Sequence, residues 1–269
     1  MDKKTTSFNG DDYILLAETN EAWDLKILSG FILKNYEHAT WKIDSKKKWN
    51  LMEITVDERM ITRVTLNGFN KFLYKYDKPV FDFGFNSRQI YEILKPVKKK
   101  DMLHFSIPNN VNELNKFTIN TQITSKQQAR HIDKTIIIGT YEISDIVVPD
   151  DTDYEININI DKSEFRDLTN SIKSFGGEIH IKAQENGIEF YASKSDTLEY
   201  NSIRLGDWDK SLPTLYESVI STDLIKNLHK CCSFTTKRFN FYLKQGLPLR
   251  LSIKLCEGSV VDVYLQELN

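Results

Sequence analysis

The sequence is poor in cysteine and has no long apolar run. Its 269 residues include three cysteines, two of them adjacent (Cys231 and Cys232), so neither a disulfide framework nor a metal-ligand spacing is present. No apolar stretch approaches the roughly 20 residues that cross a bilayer, and the polar start, MDKKTTSFNGDD, lacks the apolar core of a secretory signal. These absences predict an intracellular protein in a reducing compartment, without a membrane partner.

The chain also lacks a strong net charge. It carries 36 Lys and Arg against 38 Asp and Glu, which gives a formal charge of -2. This balance argues against a simple polycationic DNA-binding protein, although a basic face can be offset by acidic surface elsewhere. The chain is rich in Lys, Asn and Ile, a composition typical of an AT-rich genome such as that of a large DNA virus or a protist.

What the sequence does contain is an internal repeat. Residues 12–52 and 153–193 both open on Asp-Tyr and an alternating strand, then run into an amphipathic helix and a two-stranded hairpin. Between the two halves, the stretch 143–153 reads ISDIVVPDDTD and is the predicted connector, because residues before a proline favour extended backbone. We expect an α+β fold of two similar domains, residues 12–142 and 154–269, preceded by a flexible extension at 1–11.

Local signals predict two helices in each domain. Thr19 or Asn20 is expected to cap the first helix, and the second begins at Asn86. The third has a capping box formed by Asp161 and Glu164, and the fourth follows Ser221 or Thr222. The strands predicted at 135–142 and 199–205 lie at the edges of the two sheets.

Several short runs resemble the eukaryotic and archaeal DNA sliding clamp family, proliferating cell nuclear antigen. The clearest run extends from Ser163-Glu164-Phe165 to Phe190-Tyr191-Ala192-Ser193, where a helix is followed by a strand, an Asn-Gly turn and a second strand. The runs 49–51 and 93–95 and the Pro149 connector also fit, and the dispersed similarity covers the chain after residue 11. The resemblance implies a duplicated clamp fold, a closed ring of three subunits around duplex DNA, and a partner pocket under the connector.

In that ring the helices would line the DNA channel. Basic residues recur on the helix faces opposite the apolar stripes, and such cations contact phosphates without reading bases. The candidate DNA-binding residues are Lys26, Lys34, Arg88, Lys95, Lys162, Arg166, Lys173, Lys226 and Lys230. Glu92, Asp167 and Asn170 stand where the family usually has Lys or Arg, which predicts weak direct contact with DNA.

The resemblance also implies a pocket for short partner peptides with aliphatic and aromatic anchors. The residues that match it come from the first domain, the connector and the C-terminal wall: Ile54, Ile146, Val148, Pro149, Tyr264, Leu265 and Gln266. The family's usual Ala-Pro in that wall is replaced by Gln266-Glu267, so the partner motifs are expected to differ.

The sequence therefore predicts a DNA sliding clamp, a non-enzymatic DNA polymerase processivity factor without a cofactor. It would form a homotrimer and act in DNA replication and repair in the nucleus, or at a cytoplasmic replication site if it is a viral protein. One alternative is a clamp-fold protein with another duty, such as a checkpoint-ring subunit or a viral transcription factor.

Enzymatic alternatives rest on two weak patterns. Asp150, Asp151 and Asp153 could hold Mg²⁺ in a metal-dependent nuclease, but a solvated acidic loop explains them better. Cys231 and Cys232 near His229 could supply a thiol nucleophile, but no third orienting group accompanies them, and helical spacing favours buried thiols.

Overall fold

The computed structural model describes residues 12–110, 113–124, 129–139, 146–193, 200–255 and 258–268. Within these ranges the chain is α+β, with four α-helices and 17 strands in antiparallel sheets. The predicted extension at 1–11 lies outside the described residues, as do residues 143–145 of the predicted connector.

The first half contains nine strands and two helices. The strands are β1 (Tyr13–Thr19), β2 (His38–Asp44), β3 (Trp49–Ile54), β4 (Met60–Leu66), β5 (Lys71–Tyr74), β6 (Val80–Asn86), β7 (Met102–Pro108), β8 (Lys116–Thr124) and β9 (Ala129–Ile137). The helices are α1 (Ala22–Asn35) and α2 (Ser87–Leu94).

The second half repeats this order with eight strands and two helices. The strands are β10 (Ile156–Asp161), β11 (Glu178–Ala183), β12 (Gly187–Ser193), β13 (Tyr200–Gly206), β14 (Tyr216–Ser221), β15 (Arg238–Leu243), β16 (Leu249–Lys254) and β17 (Val260–Leu265). The helices are α3 (Lys162–Ser171) and α4 (Thr222–Asn227), and a 3-10 segment, Leu228–Ser233, follows α4 directly.

The two halves share one sheet. Eight strands are ordered β10-β15-β16-β17-β4-β3-β2-β6, and the halves meet where β17 pairs antiparallel with β4. A five-stranded sheet, β5-β1-β7-β8-β9, completes the first half, and a four-stranded sheet, β13-β12-β11-β14, completes the second. Consequently β9 and β13 are edge strands in the described part of the chain.

Sequence signals placed most elements correctly. Asp161 and Glu164 form the predicted capping box, and the Asn86 side chain caps α2 by accepting from the Arg88 N–H. At α1 the expected cap is wrong, because the helix begins at Ala22 and the Thr19 hydroxyl instead accepts from the N–H of Glu21, which occupies the N-cap position. The strand predicted at 135–142 begins earlier and spans Ala129–Ile137, and residues 140–142 of that prediction lie outside the described residues. Strand β5 was not predicted.

One apolar core runs between the helices and the sheets. Alternating strands such as β10 bury Ile156, Ile158 and Ile160, while the stripe of α3 buries Phe165 and Leu168. The opposite faces of α1 and α3 remain available for polar side chains, which places the candidate cations at the surface.

Candidate functional site

The four helices form a continuous surface that joins the two halves. The buried carboxylate of Asp24 on α1 accepts hydrogen bonds from the backbone N–H and the hydroxyl of Thr235 in the second half. The indole N–H of Trp23 donates to the carbonyl of Ser233, at 3.2 Å. Helix α1 is thereby fixed against the end of the 3-10 segment, so that basic residues of both halves share this surface.

Lys26 and Lys230 converge near the middle of α1. A Cβ atom added to Gly30 would lie 2.8 Å from Cε of Lys230, so the glycine leaves room for that side chain. Burial lowers the pKa of the Lys26 ammonium, and repulsion from Lys230 lowers it further, against the opposing effect of Asp101. The Lys26 ammonium also donates to the carbonyl of Val97, at 2.8 Å.

Lys162 and Arg166 extend this group along α3. Lys162 donates to the carbonyl of Phe234, and burial, followed by repulsion from Arg166, lowers the pKa of its ammonium. Lys99, which is not among the candidate DNA-binding residues predicted from the sequence, adds to the same repulsion. The ammonium groups of Lys99 and Lys26 lie 5.5 and 4.9 Å from the ring of Trp23. A run of lysines beside a helix end was the only sequence signal for Lys99.

The remaining candidates lie toward the far end of α1. Lys34 and Arg88 line one cleft of about 510 Å³, and the Lys34 ammonium reaches the carbonyl of Lys226 at 3.4 Å. Burial lowers the pKa of Lys34. Lys226 itself forms an ion pair with Asp223, at 3.0 Å.

Acidic residues reduce the charge of this surface at several points. Lys95 lies just after α2 and pairs with Glu92 at 3.7 Å. Asp167 and Asn170 are exposed on α3. Lys173 belongs to the segment after α3, and its side chain lies outside the described residues.

The electrostatics of the helical surface favour an anionic ligand. Neighbouring ammonium groups with lowered pKa values repel one another, and a polyanion that lies across them relieves this repulsion. Because the cations are spread over helices of both halves, they suit a long charged backbone better than a single small anion.

A second feature lies under the connector, on the outer face of the eight-stranded sheet. Asp262 accepts hydrogen bonds from Arg63 through one carboxylate oxygen and from Arg250 through the other, at 2.8 to 3.1 Å. The side chains of Arg250 and Asp262 are each only 5% exposed. Asp151 of the connector accepts from both arginines, at 3.2 and 2.6 Å, while remaining 68% exposed. We call these four residues the Arg–Asp network, and they tie the connector to strands of both halves.

The predicted partner pocket lies beside this network. Tyr264, Ile61 and Ile54 are cross-strand partners on β17, β4 and β3, so their side chains share one face of the sheet. The hydroxyl of Tyr264 is buried and finds no hydrogen-bond partner among the described residues. The whole side chain of Tyr264 is only 1% exposed, so this hydroxyl is closed to a peptide in the structure.

The connector and the C-terminal wall contribute unequally to that pocket. Ile146, Val148 and Pro149 are half-buried, whereas Val147 is 88% exposed. Gln266 is exposed, and its N–H donates to the carbonyl of Arg59. Leu265 was predicted to line the pocket, but strand alternation places it on the opposite face of the sheet from Tyr264, where it is fully buried in the core.

The groups considered for enzymatic chemistry are engaged elsewhere. Asp151 belongs to the Arg–Asp network, and Asp150 and Asp153 form a reciprocal capping box. No group of three or more His, Cys, Asp or Glu suited to a metal occurs among the described residues. Both Cys231 and Cys232 are buried, and burial raises the pKa of each thiol, which disfavours the nucleophilic thiolate.

Across the described part of the chain, no helix combines the length and apolar character needed to span a bilayer. Comparison of the chain with known family models and with curated proteins finds no match.

Proposed function

We propose that this protein is a DNA sliding clamp, a processivity factor that encircles duplex DNA as a homotrimer and tethers a DNA polymerase and other replication proteins. The observation that carries the proposal is the pairing of equivalent strands. Each half contains two sets of four hydrogen-bonded strands. The set β1-β7-β8-β9 of the first half corresponds to β10-β15-β16-β17 of the second, and β6-β2-β3-β4 corresponds to β14-β11-β12-β13.

Among the described residues, the ladder of β17 with β4 joins two of these sets across the halves. Within the first half, only an isolated bridge between Gly84 on β6 and Gly139 after β9 links the two kinds of set. The equivalent pair would be β9 with β13, but each is an edge strand of a separate sheet. Exposed edges are templates for pairing with another chain, and a head-to-tail contact closes into a ring when the rotation fits. Pairing of β9 from one chain with β13 of the next would repeat the internal junction and place the helical surface of every chain on the same side.

The charge of the helical surface supports duplex DNA as the ligand. Its cations come from helix faces rather than from a base-reading element, so they suit phosphate contacts without sequence preference. Glu92 and Asp167 lie among them, and we expect direct affinity to be low and retention to depend on encirclement. The connector and the neighbouring sheet would hold the partner peptides.

Absolute mass in solution tests the assembly. Ile138 donates its N–H to the carbonyl of Asn115 on the β8 side, so the N–H of Ile137 points outward from β9. Ile137→Pro removes that outward donor without removing a hydrogen bond between β8 and β9. Light scattering is expected to give a trimer for the unmodified protein and a monomer for the variant. A monomeric unmodified protein at micromolar concentration would contradict the proposal.

DNA topology tests the function itself. After loading, a circular duplex should retain the protein and a linear duplex with free ends should release it. Equal retention on both would indicate a fixed DNA-binding module instead. The acidic residues on α2 and α3 favour one second candidate, a clamp-fold subunit with another duty, and an obligate heteromer in the mass measurement would support it.

A further inference from the structure

The second half carries a cleft that belongs neither to the helical surface nor to the partner pocket. It lies on the four-stranded sheet beside the loop 207–215 and has a volume of about 320 Å³. Its lining includes Lys182, Glu189, Arg204, Trp208, Lys210 and Leu212. We call it the loop cleft.

Hydrogen bonds and close packing hold the loop in place. The buried side-chain amide of Gln184 donates to the carbonyls of Asp209 and Leu212 and accepts from the Asp209 N–H. A Cβ atom added to Gly187 would lie 2.6 Å from the backbone of Trp208, so only glycine permits this approach. A loop fixed in this way loses little conformational freedom when it binds a partner.

The lining of the loop cleft has a positive charge excess. Arg204 binds Glu189 at 2.8 Å, and the Glu189 side chain is only 6% exposed, so this carboxylate is already occupied. Glu217, outside the lining, approaches Lys182 at 3.4 Å. Lys210 is exposed and forms no ion pair within the described part of the chain. The cleft therefore offers one unpaired cation and two partly exposed ones.

Apolar surface lies directly beside these cations. Leu212 is 53% exposed and Leu215 is 55% exposed, on the two sides of Pro213. The indole N–H of Trp208 is buried and has no hydrogen-bond partner among the described residues. Because that N–H is closed to solvent, it is the ring of Trp208, a lining residue, that adds to the apolar surface of the cleft.

We propose that the loop cleft binds an extended acidic peptide with an aliphatic side chain. Its carboxylates would pair with Lys210 and Lys182, and the aliphatic group would cover Leu212 beside the ring of Trp208. A small anion would leave the apolar surface exposed, and a basic peptide would meet like charge. This surface is separate from the pocket under the connector, so the protein could hold two partners at once.

Fluorescence polarisation with labelled ten-residue peptides tests this assignment. Three peptides share a central leucine and carry acidic, neutral or basic residues elsewhere, and a fourth is the acidic peptide with serine in place of leucine. The acidic leucine peptide is expected to bind most tightly. Lys210→Glu should weaken its binding at least about tenfold, equivalent to about 1.4 kcal/mol, because charge reversal replaces attraction with repulsion. Leu212→Ser should remove the preference for leucine over serine.

Lys46→Glu is the matched control, since it makes the same charge change at an exposed turn of the first half. It should leave the affinity unchanged, and none of the three variants should alter the mass of the assembly. The proposal is overturned if the acidic peptide does not bind, if the basic peptide binds as well, or if Lys46→Glu weakens binding as much as Lys210→Glu. Inorganic phosphate that displaced the peptide at equal concentration would likewise indicate a simple anion site.

Discussion

Replacing Asp262 with asparagine should destabilise the protein far more than the same change at Asp151, although both carboxylates bind the same two arginines. Asp262 is 5% exposed and compensates Arg250, which is equally buried, and Arg63. Asp262→Asn keeps the shape but removes the charge. Arg250 would then remain buried with only Asp151 as a counter-ion.

The expected magnitudes follow from burial. Breaking a buried ion pair by removing one partner costs about 3–5 kcal/mol, because a desolvated charge is left without compensation. Asp151 is 68% exposed, and exposed ion pairs contribute about 0–1 kcal/mol, since water replaces them at little cost. The free energy of unfolding should therefore fall by several kcal/mol for Asp262→Asn and by no more than about 1 kcal/mol for Asp151→Asn.

Urea unfolding at pH 7, followed by tryptophan fluorescence, measures both changes as shifts in the midpoint. Equal shifts for the two variants would refute the assignment of Asp262 as the buried counter-ion. A third variant separates charge compensation from packing. Replacing Arg63 and Arg250 with methionine and Asp262 with leucine removes the buried charges together and should recover most of the stability, because apolar residues of similar volume can replace a buried network.

Three further outcomes can be measured. Burial raises the pKa of the Asp151 carboxyl, but Arg250 and Arg63 lower it more. The stability that this carboxylate contributes is therefore complete above its unfolded-state pKa of about 3.9 and is lost as the pH falls through the lower folded-state pKa. The urea midpoints of Asp151→Asn and the unmodified protein should accordingly converge in acid. The double variant Ile146→Ser with Val148→Ser should abolish binding of a polymerase tail peptide in calorimetry while leaving the assembly mass unchanged, and unchanged affinity would place the peptide site elsewhere. Lys99→Ala should reduce the salt dependence of DNA binding by about 0.9 in log–log slope for each lost phosphate contact, whereas Lys46→Ala should not.

Elements with a strong local signal could be predicted from the sequence. The capping box of α3 and the asparagine cap of α2 are encoded within a few residues, and the boundaries of β11 follow from alternation. Strand β5 was missed because its four residues, KFLY, are too few for a periodic pattern. The start of β9 was misplaced because polar residues precede its apolar end, and pairing with β8 rather than composition determines its length.

The candidate sites were harder to predict than the helices and strands, because they are formed by contacts between residues that are distant in the sequence. Helical spacing identified Lys26 and Arg166, but the contribution of Lys99 depends on the packing of one loop against Trp23. The Arg–Asp network could not be predicted, since Arg63 and Asp262 are 199 residues apart and meet only through the pairing of β4 with β17. Nothing in a single strand indicates which charged residue will be covered by a connector.

The Arg–Asp network also distinguishes the internal junction of β4 with β17 from the proposed junction of β9 with β13 between chains. At the internal junction, Arg63 on β4 and Asp262 on β17 form a buried ion pair across the two strands, and the connector closes over it. On the equivalent edges, Ile137 of β9 is 72% exposed, while Arg204 of β13 is already paired with Glu189 in its own sheet. At these two positions, a junction between chains would therefore rest on backbone hydrogen bonds and apolar contact rather than on a buried ion pair. Since a closed ring must open to admit DNA, we expect the opening to occur between chains, where pairing also depends on protein concentration.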